Sequence, residues 1–238
     1  MEPRVDDEDH RDDEEKPMLD TETMERCVEY ATELYAAESD THRWIEEEME
    51  ARGLPSIQIS ALEGRLLGLL ARMSDATRVL EIGTLGGYSG LWILSSLSEE
   101  AELVTLEKEE AHAELAREAF RRAGVEDRVE VRVGDAPEVL EEMAVAGRRA
   151  EPSFDMAFVD ADKENYPLYL DRLTALMRPG GLVTADNVFW DGRVVDESDR
   201  EASTRAIREF NRRLAEDDAF EAAVIPVRDG LSVARYRG

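Results

Sequence analysis

The stretch FDMAFVDADKENY, residues 154–166, and its echo GLVTADNVFW, residues 181–190, decide how this chain folds. Each opens as a short apolar run of the kind that forms a buried strand, and each closes abruptly on acidic and amide side chains. Between them Leu168, Leu170, Leu173, Leu176 and Met177 recur at helical spacing over 166–177, and Pro179, Gly180 and Gly181 are expected to stop that helix. Strand, helix, strand is a crossover that leaves its two strands parallel and able to pair. Paired strands lie roughly 5 Å apart, so Asp160 and Asp186, at the carboxyl ends, can converge on one ion. Two carboxylates and the amide oxygen of Asn187, with no cysteine or histidine beside them, make a hard oxygen donor set suited to Mg2+ or Ca2+ and poor for zinc. Lys163, three residues past the first acid, is placed to act as a base there. Acids and amides also end strands simply as caps and turn formers. Two such endings in succession outweigh that explanation.

The same rhythm extends in both directions. Upstream the pattern predicts a strand over 78–83, a helix over 88–97, a strand over 102–106, a helix over 109–123, a strand over 128–133 and a helix over 136–145. Downstream come a polar loop over 186–199, a helix over 201–216 and strands over 219–227 and 231–236. Arg228, Asp229 and Gly230 turn the last two into an antiparallel hairpin. Alternation of this kind specifies an α/β fold: a Rossmann-like, doubly wound, mostly parallel sheet with helices on both faces. An apolar helix is expected over 61–73. Before it, two amphipathic helices are expected over 20–37 and 41–52, with Met24, Val28, Ala31, Leu34 and Tyr35 on one face and Thr41 as a cap. Residues 1–17 are mostly acidic, without apolar period, and are expected to be a disordered tail. The organisation is thus a tail (1–17) and one domain (18–238), the latter divided into a helical cap (18–56) and a Rossmann-like core (57–238).

Composition narrows the class. A 238-residue chain with 42% hydrophobic residues can build one sizeable core. No apolar run approaches the roughly 18–20 residues that span a bilayer, and the acidic N-terminus carries no signal-peptide core, so the chain reads as cytoplasmic. The single cysteine, Cys27, excludes an intramolecular disulfide and is expected to be a small buried helix residue. Acidic residues number 56 against 29 basic ones, a net charge of -27, and only Lys16, Lys108 and Lys163 are lysines. Such a surface repels phosphate backbones and argues against electrostatic nucleic-acid binding. Salt would relieve its self-repulsion, since the Debye length falls to ~3 Å at 1 M, and a halophilic host is inferred. In a chain that nearly avoids lysine, Lys163 gains weight. His42 and Trp44 are expected as packing or surface residues, and His10 and His112 as bystanders.

The segment EIGTLGGYS, residues 81–89, joins the first strand to its helix. Its glycines let backbone approach a ligand, and the free N–H groups of the helix start favour a polar or anionic group. The second strand ends on Glu107, 24 residues after Gly83, where an acid can hold a ribose diol. The third ends on Gly134, Asp135 and Ala136, placed to face an adenine ring. A dinucleotide fingerprint would need a second glycine where Leu85 stands. That counts against an NAD-dependent oxidoreductase, the alternative from another class. Glu81 would repel a pyrophosphate but suits the ammonium of an amino acid. A ligand with an adenosine end and an amino-acid end fits: S-adenosylmethionine.

From about Ile57 onward the chain resembles the metal-dependent small-molecule O-methyltransferases, typified by catechol and caffeoyl-coenzyme A O-methyltransferases. The resemblance rests on Glu81, Gly83, Gly87, Tyr88 and Ser89; on Asp160, Asp162, Lys163, Asn165 and Tyr166; on Asp186, Asn187, Trp190, Gly192 and Val194; and on Asp229, Gly230 and Leu231. It implies Asp160, Asp186 and Asn187 as metal ligands, Lys163 as the catalytic base, and Glu81, Gly83, Ser89, Glu107 and Ala136 as donor contacts. Asp135 and Asp160 join these at the strand ends, and Ile59 and Ser60 come near the methionine end. Trp190 would lie against the acceptor ring, with Lys163 and Asn187 also facing the acceptor. Asp162 stays open between orienting an ion's ligands and touching the donor. Ile57 departs from the methionine common among relatives. A seven-stranded sheet and a homodimer are also implied. The expected activity is transfer of a methyl group from S-adenosylmethionine, with Mg2+ (or Ca2+ or Mn2+), to a small aromatic vicinal diol. A hydroxylated tRNA base is the alternative acceptor, and a non-catalytic binding module the remaining alternative.

Overall fold

The computed structural model describes residues 19–147 and 154–238; the expected tail, with His10, lies outside them. One seven-stranded sheet organises the chain, in the order β3-β2-β1-β4-β5-β7-β6. Strands β1 (Arg78–Ile82), β2 (Glu102–Glu107), β3 (Val129–Val133), β4 (Phe154–Val159) and β5 (Met177–Ala185) run parallel. β7 (Leu231–Tyr236) is antiparallel to β5 and to β6 (Phe220–Ile225), which closes the edge as the expected hairpin. Strand order reverses between β1 and β4, the place where open α/β sheets form a ligand crevice at their carboxyl ends.

The core follows from period two. On β1, Leu80 and Ile82 point to one face and Val79 to the other. The first face is covered by α6 (Ala136–Gly147), α7 (Tyr166–Leu176) and α8 (Ala202–Glu216). The second is covered by α3 (Ala61–Met73), α4 (Tyr88–Ser96) and α5 (Glu110–Arg122), with Ile45 and Met49 of α2 (Asp40–Ala51) packed on them. All six residues of β4 are buried, as an apolar run in a centrally placed parallel strand requires.

Three local expectations are corrected. The helix before β5 ends at Leu176, and the strand runs through Pro179 and Gly180 instead of starting after them. Proline disfavours helical backbone at the residue before it, so Arg178 is already extended, and Met177 pairs with Phe154 across a register shift. The cap of α2 is Ser39, which exchanges hydrogen bonds with His42, rather than Thr41. Cys27 is exposed, because α1 (Thr21–Tyr35) buries none of its residues and turns Met24, Val28, Leu34 and Tyr35 outward. His42 is buried against Tyr88 and Trp92, and burial pushes its pKa down to about 4. Among the described residues no helix is long and apolar enough to cross a membrane.

Candidate active site

The carboxyl ends of β1–β5 open into one cavity of about 650 Å3. One side of it is built on the turn after β1. Gly83 has φ +99, and a Cβ there would stand 2.0 Å from the carbonyl oxygen of Asp160, so only glycine lets the two strand ends close. Ser89, on the first turn of α4, reaches the cavity wall and donates to Glu81 Oε1 at 2.6 Å; Thr105 donates to Oε2 at 2.6 Å. Glu81 is fully buried behind these hydroxyls, and the side chain itself does not line the cavity. Burial pushes its pKa up to about 7, against the pull of the two hydrogen bonds.

Glu107 ends β2 at the cavity wall. Its carboxylate accepts the backbone N–H groups of Leu85 at 2.8 Å, Thr84 at 3.3 Å and Glu109 at 2.9 Å. His112 Nδ1 lies 3.4 Å from Glu107 Oε1, and its ring also lines the cavity. The structure thus places His112 at the cavity rather than on an outward charged face. It lies on the same face of α5 as Leu115, Ala116 and Ala119, a spacing that could have marked it as inward-facing. Ile59, Asp135 and Ala136 complete this half of the wall, with Asp135 held 3.5 Å from Lys108; Ser60 caps α3 just outside it.

The other side is built on β4 and β5. Val159 pairs with Ala185, the Asp160 N–H donates to Ile82 O, and the Asp186 N–H donates to Val159 O, which brings the two acids side by side at adjacent strand ends. Lys163 is 9% exposed, and its Nζ donates to Asp160 Oδ1 at 3.0 Å and Tyr166 Oη at 2.8 Å. Tyr166 in turn donates to the Asp186 carbonyl at 2.9 Å, and burial raises its pKa well above the ordinary phenol value, so it stays protonated. Asp186 is nearly buried. Desolvation, then the charges of Asp160 and Glu63, push its pKa up to about 7. Among the described residues no basic side chain forms an ion pair with it. Nor does any group of three or more acidic, histidine or cysteine side chains there suit an ion, so a metal centre would have to be completed by the Asn187 amide. Asn187 and Trp190 both line the cavity, Trp190 with its ring centroid 6.0 Å from Lys163 Nζ. Asp162 is engaged by Tyr169 and, at 2.6 Å, by Asn165. Arg228 and Asp229 of the hairpin turn, and Glu63 of α3, also line the cavity, and none was singled out from sequence as a site residue.

A crevice of about 650 Å3 beside two adjacent strand-end carboxylates suits a small polar ligand, and similarity to known proteins shows the class of enzyme. A family model described as O-methyltransferase matches residues 33–237. A catechol O-methyltransferase of Niastella koreensis is 35% identical over 92% of this chain and 97% of its own length. One from Mycobacterium tuberculosis is 42% identical over 79% and 84%. The crystal structure of the O-methyltransferase TomG from Streptomyces achromogenes, in complex with SAM, superposes with a TM-score of 0.85 at 35% identity, covering 93% of this chain and 100% of that one. The chain belongs to the O-methyltransferase family, in the S-adenosylmethionine-dependent class related to catechol and caffeoyl-CoA O-methyltransferases. That membership removes the oxidoreductase alternative.

Proposed function

We propose that the protein methylates one hydroxyl of a small aromatic vicinal diol, with S-adenosylmethionine as donor and a divalent cation, Mg2+ before Ca2+ or Mn2+, held by Asp160, Asp186 and Asn187. One observation carries the metal requirement: Asp186 is buried beside Asp160 with no cationic partner of its own among the described residues. A buried carboxylate beside a second, half-buried one is costly unless a cation neutralises them, and an all-oxygen donor set fits a hard ion. When bound, such an ion orients two neighbouring acceptor oxygens and makes one of them more acidic. The sulfonium donor supplies an electrophilic methyl group whose transfer requires an in-line approach.

The chain's own residues supply the rest. Glu107, fixed by three backbone N–H groups, presents a rigid carboxylate to a ribose diol. Ser89, held by Glu81, fixes the turn beneath the methionine end. Trp190 walls the acceptor ring opposite Lys163. A proton leaving the acceptor hydroxyl is taken by Lys163 Nζ, and the resulting ammonium is stabilised where it stands by Asp160 Oδ1 and Tyr166 Oη. A screen with labelled donor tests this reading: vicinal diphenols should be methylated and matched monophenols should not. Equal labelling of both would contradict it, and labelling of tRNA instead of either would favour the hydroxylated-base acceptor.

We also infer a homodimer in which α1 pairs with its counterpart in a second copy. Met24, Val28, Leu34 and Tyr35 form an outward apolar stripe on a chain whose surface is otherwise strongly acidic. Light scattering should give twice the chain mass, and Val28→Asp should halve it.

A further inference from the structure

Arg228 is the hairpin-turn residue between β6 and β7, and its φ is +42, in the region that favours glycine. A non-glycine residue held there costs free energy, and such positions cluster where a side chain has a task. Its guanidinium donates from Nη1 to Glu63 Oε2 at 3.0 Å, across 165 residues of sequence. Glu63 is 2% exposed, and the same oxygen also accepts the backbone N–H and the hydroxyl of Ser60, each at 2.7 Å. One carboxylate oxygen therefore joins the loop of the donor wall, residues 57–60, to the turn of the C-terminal hairpin.

The other end of that turn holds the acceptor wall. Asp229 Oδ1 accepts the Asp191 N–H at 2.7 Å, the Asp229 carbonyl accepts the Phe189 N–H at 2.8 Å, and the Gly230 carbonyl accepts the Val188 N–H at 3.1 Å. The segment carrying Asn187 and Trp190 is thus hung from residues 229 and 230, and the turn is tied to the donor wall through Arg228. Arg228 and Glu63 both line the cavity, as do Ile57 and Trp190. Burial of Glu63 keeps the pair from being the weak, screened kind found at open surface, although the arginine side chain is 56% exposed.

Resting on the reading that vicinal diphenols are the acceptors, we propose that Arg228 is a positioning residue: through Glu63 it sets the acceptor wall relative to the donor wall and so decides which of two adjacent hydroxyls meets the methyl group. With both oxygens on one ion, exchanging the two hydroxyls turns the ring over about the axis between them and carries its substituent to the other side of the pocket. A displacement of about 1 Å can change a rate by roughly 100-fold, so a small shift of the wall is enough to change which of the two orientations reacts faster.

The test is the product ratio from 3,4-dihydroxybenzoate, the 3-O- against the 4-O-methyl ether, in wild type, Arg228→Gln, Arg228→Lys and Glu63→Gln. The ratio does not depend on the fraction of folded enzyme, so mere destabilisation leaves it unchanged. Arg228→Gln and Glu63→Gln should each change it at least about threefold, in the same direction, and the two together no further; Arg228→Lys, which keeps the charge, should return most of it. If Glu63→Gln does not fold, the exposed Arg228→Gln decides alone. Product in wild type with the same ratio in Arg228→Gln overturns the positioning role and leaves the proposed reaction standing. Absence of any methyl ether from every diphenol in wild type overturns the proposed reaction, and the positioning role with it.

Discussion

The two halves of the cavity treat their carboxylates in opposite ways. On the donor side, Glu107 accepts three backbone N–H groups and Glu81 two hydroxyls, so each acid is supplied with protein donors before any ligand arrives. On the proposed acceptor side, half-buried Asp160 and buried Asp186 share a strand rim with one lysine, and that lysine serves Asp160. The donor half is a finished mould; the acceptor half is electrostatically incomplete. On the proposed reading, the preorganised dipoles of the first suit a neutral diol and the unpaired charge of the second suits a cation.

Substitutions should separate the halves, and the largest effect falls on the acceptor side. Asp160→Ala should lower kcat by about 1,000-fold or more, since it removes both a proposed ion ligand and the partner of Lys163, while calorimetry still detects S-adenosylhomocysteine. Lys163→Ala should cost about 100-fold to 10,000-fold in kcat, again with the fold and donor affinity retained by circular dichroism and calorimetry. Full turnover by either variant would erase the distinction between the halves. On the donor side Gly83→Ala should act through structure instead: its methyl group meets Asp160 O in a backbone conformation that alanine resists. A loss of about 2 kcal/mol or more in denaturant unfolding is expected.

Glu81→Gln sharpens the comparison through pH. The folded pKa of Glu81, about 7, lies above its ordinary 4.5. Stability contributed by the protonated acid is therefore complete below about pH 4.5 and is lost as pH rises through about 7. Without donor, Glu81→Gln should melt increasingly above wild type from about pH 4.5 to about pH 7 and by a constant margin above that; a constant difference across the whole range would show that Glu81 does not titrate there. The smallest effect concerns the surface. With a net charge of -27, stability should rise on going from low to molar salt. Equal melting temperatures across the series would remove the halophilic inference.

How much of this was legible in the sequence follows from range. Asp160, Lys163, Asp186 and Asn187 stood out because each sits within a few residues of a strand end, and consecutive parallel strands place their ends together. The turn at Gly83 and the acid at Glu107 were readable for the same reason. The link from Glu63 to Arg228 was not, since it joins a helix start to a hairpin turn by tertiary packing alone. The inward placement of His112 was hidden because its helix is charged overall, and only its position on the face of Leu115 and Ala119 betrays it. The outward turn of Cys27 and Val28 was equally hidden. Periodicity shows that a helix has an apolar face, not what covers that face.

The central claim, that the β4 and β5 strand ends hold one divalent cation, is most directly tested by equilibrium dialysis against Mn2+ with S-adenosylhomocysteine and catechol present. The expected result is one tightly held ion per chain in wild type and none in Asp160→Ala or Asp186→Ala. Retention of the ion in both variants, or no bound ion in wild type, would contradict it.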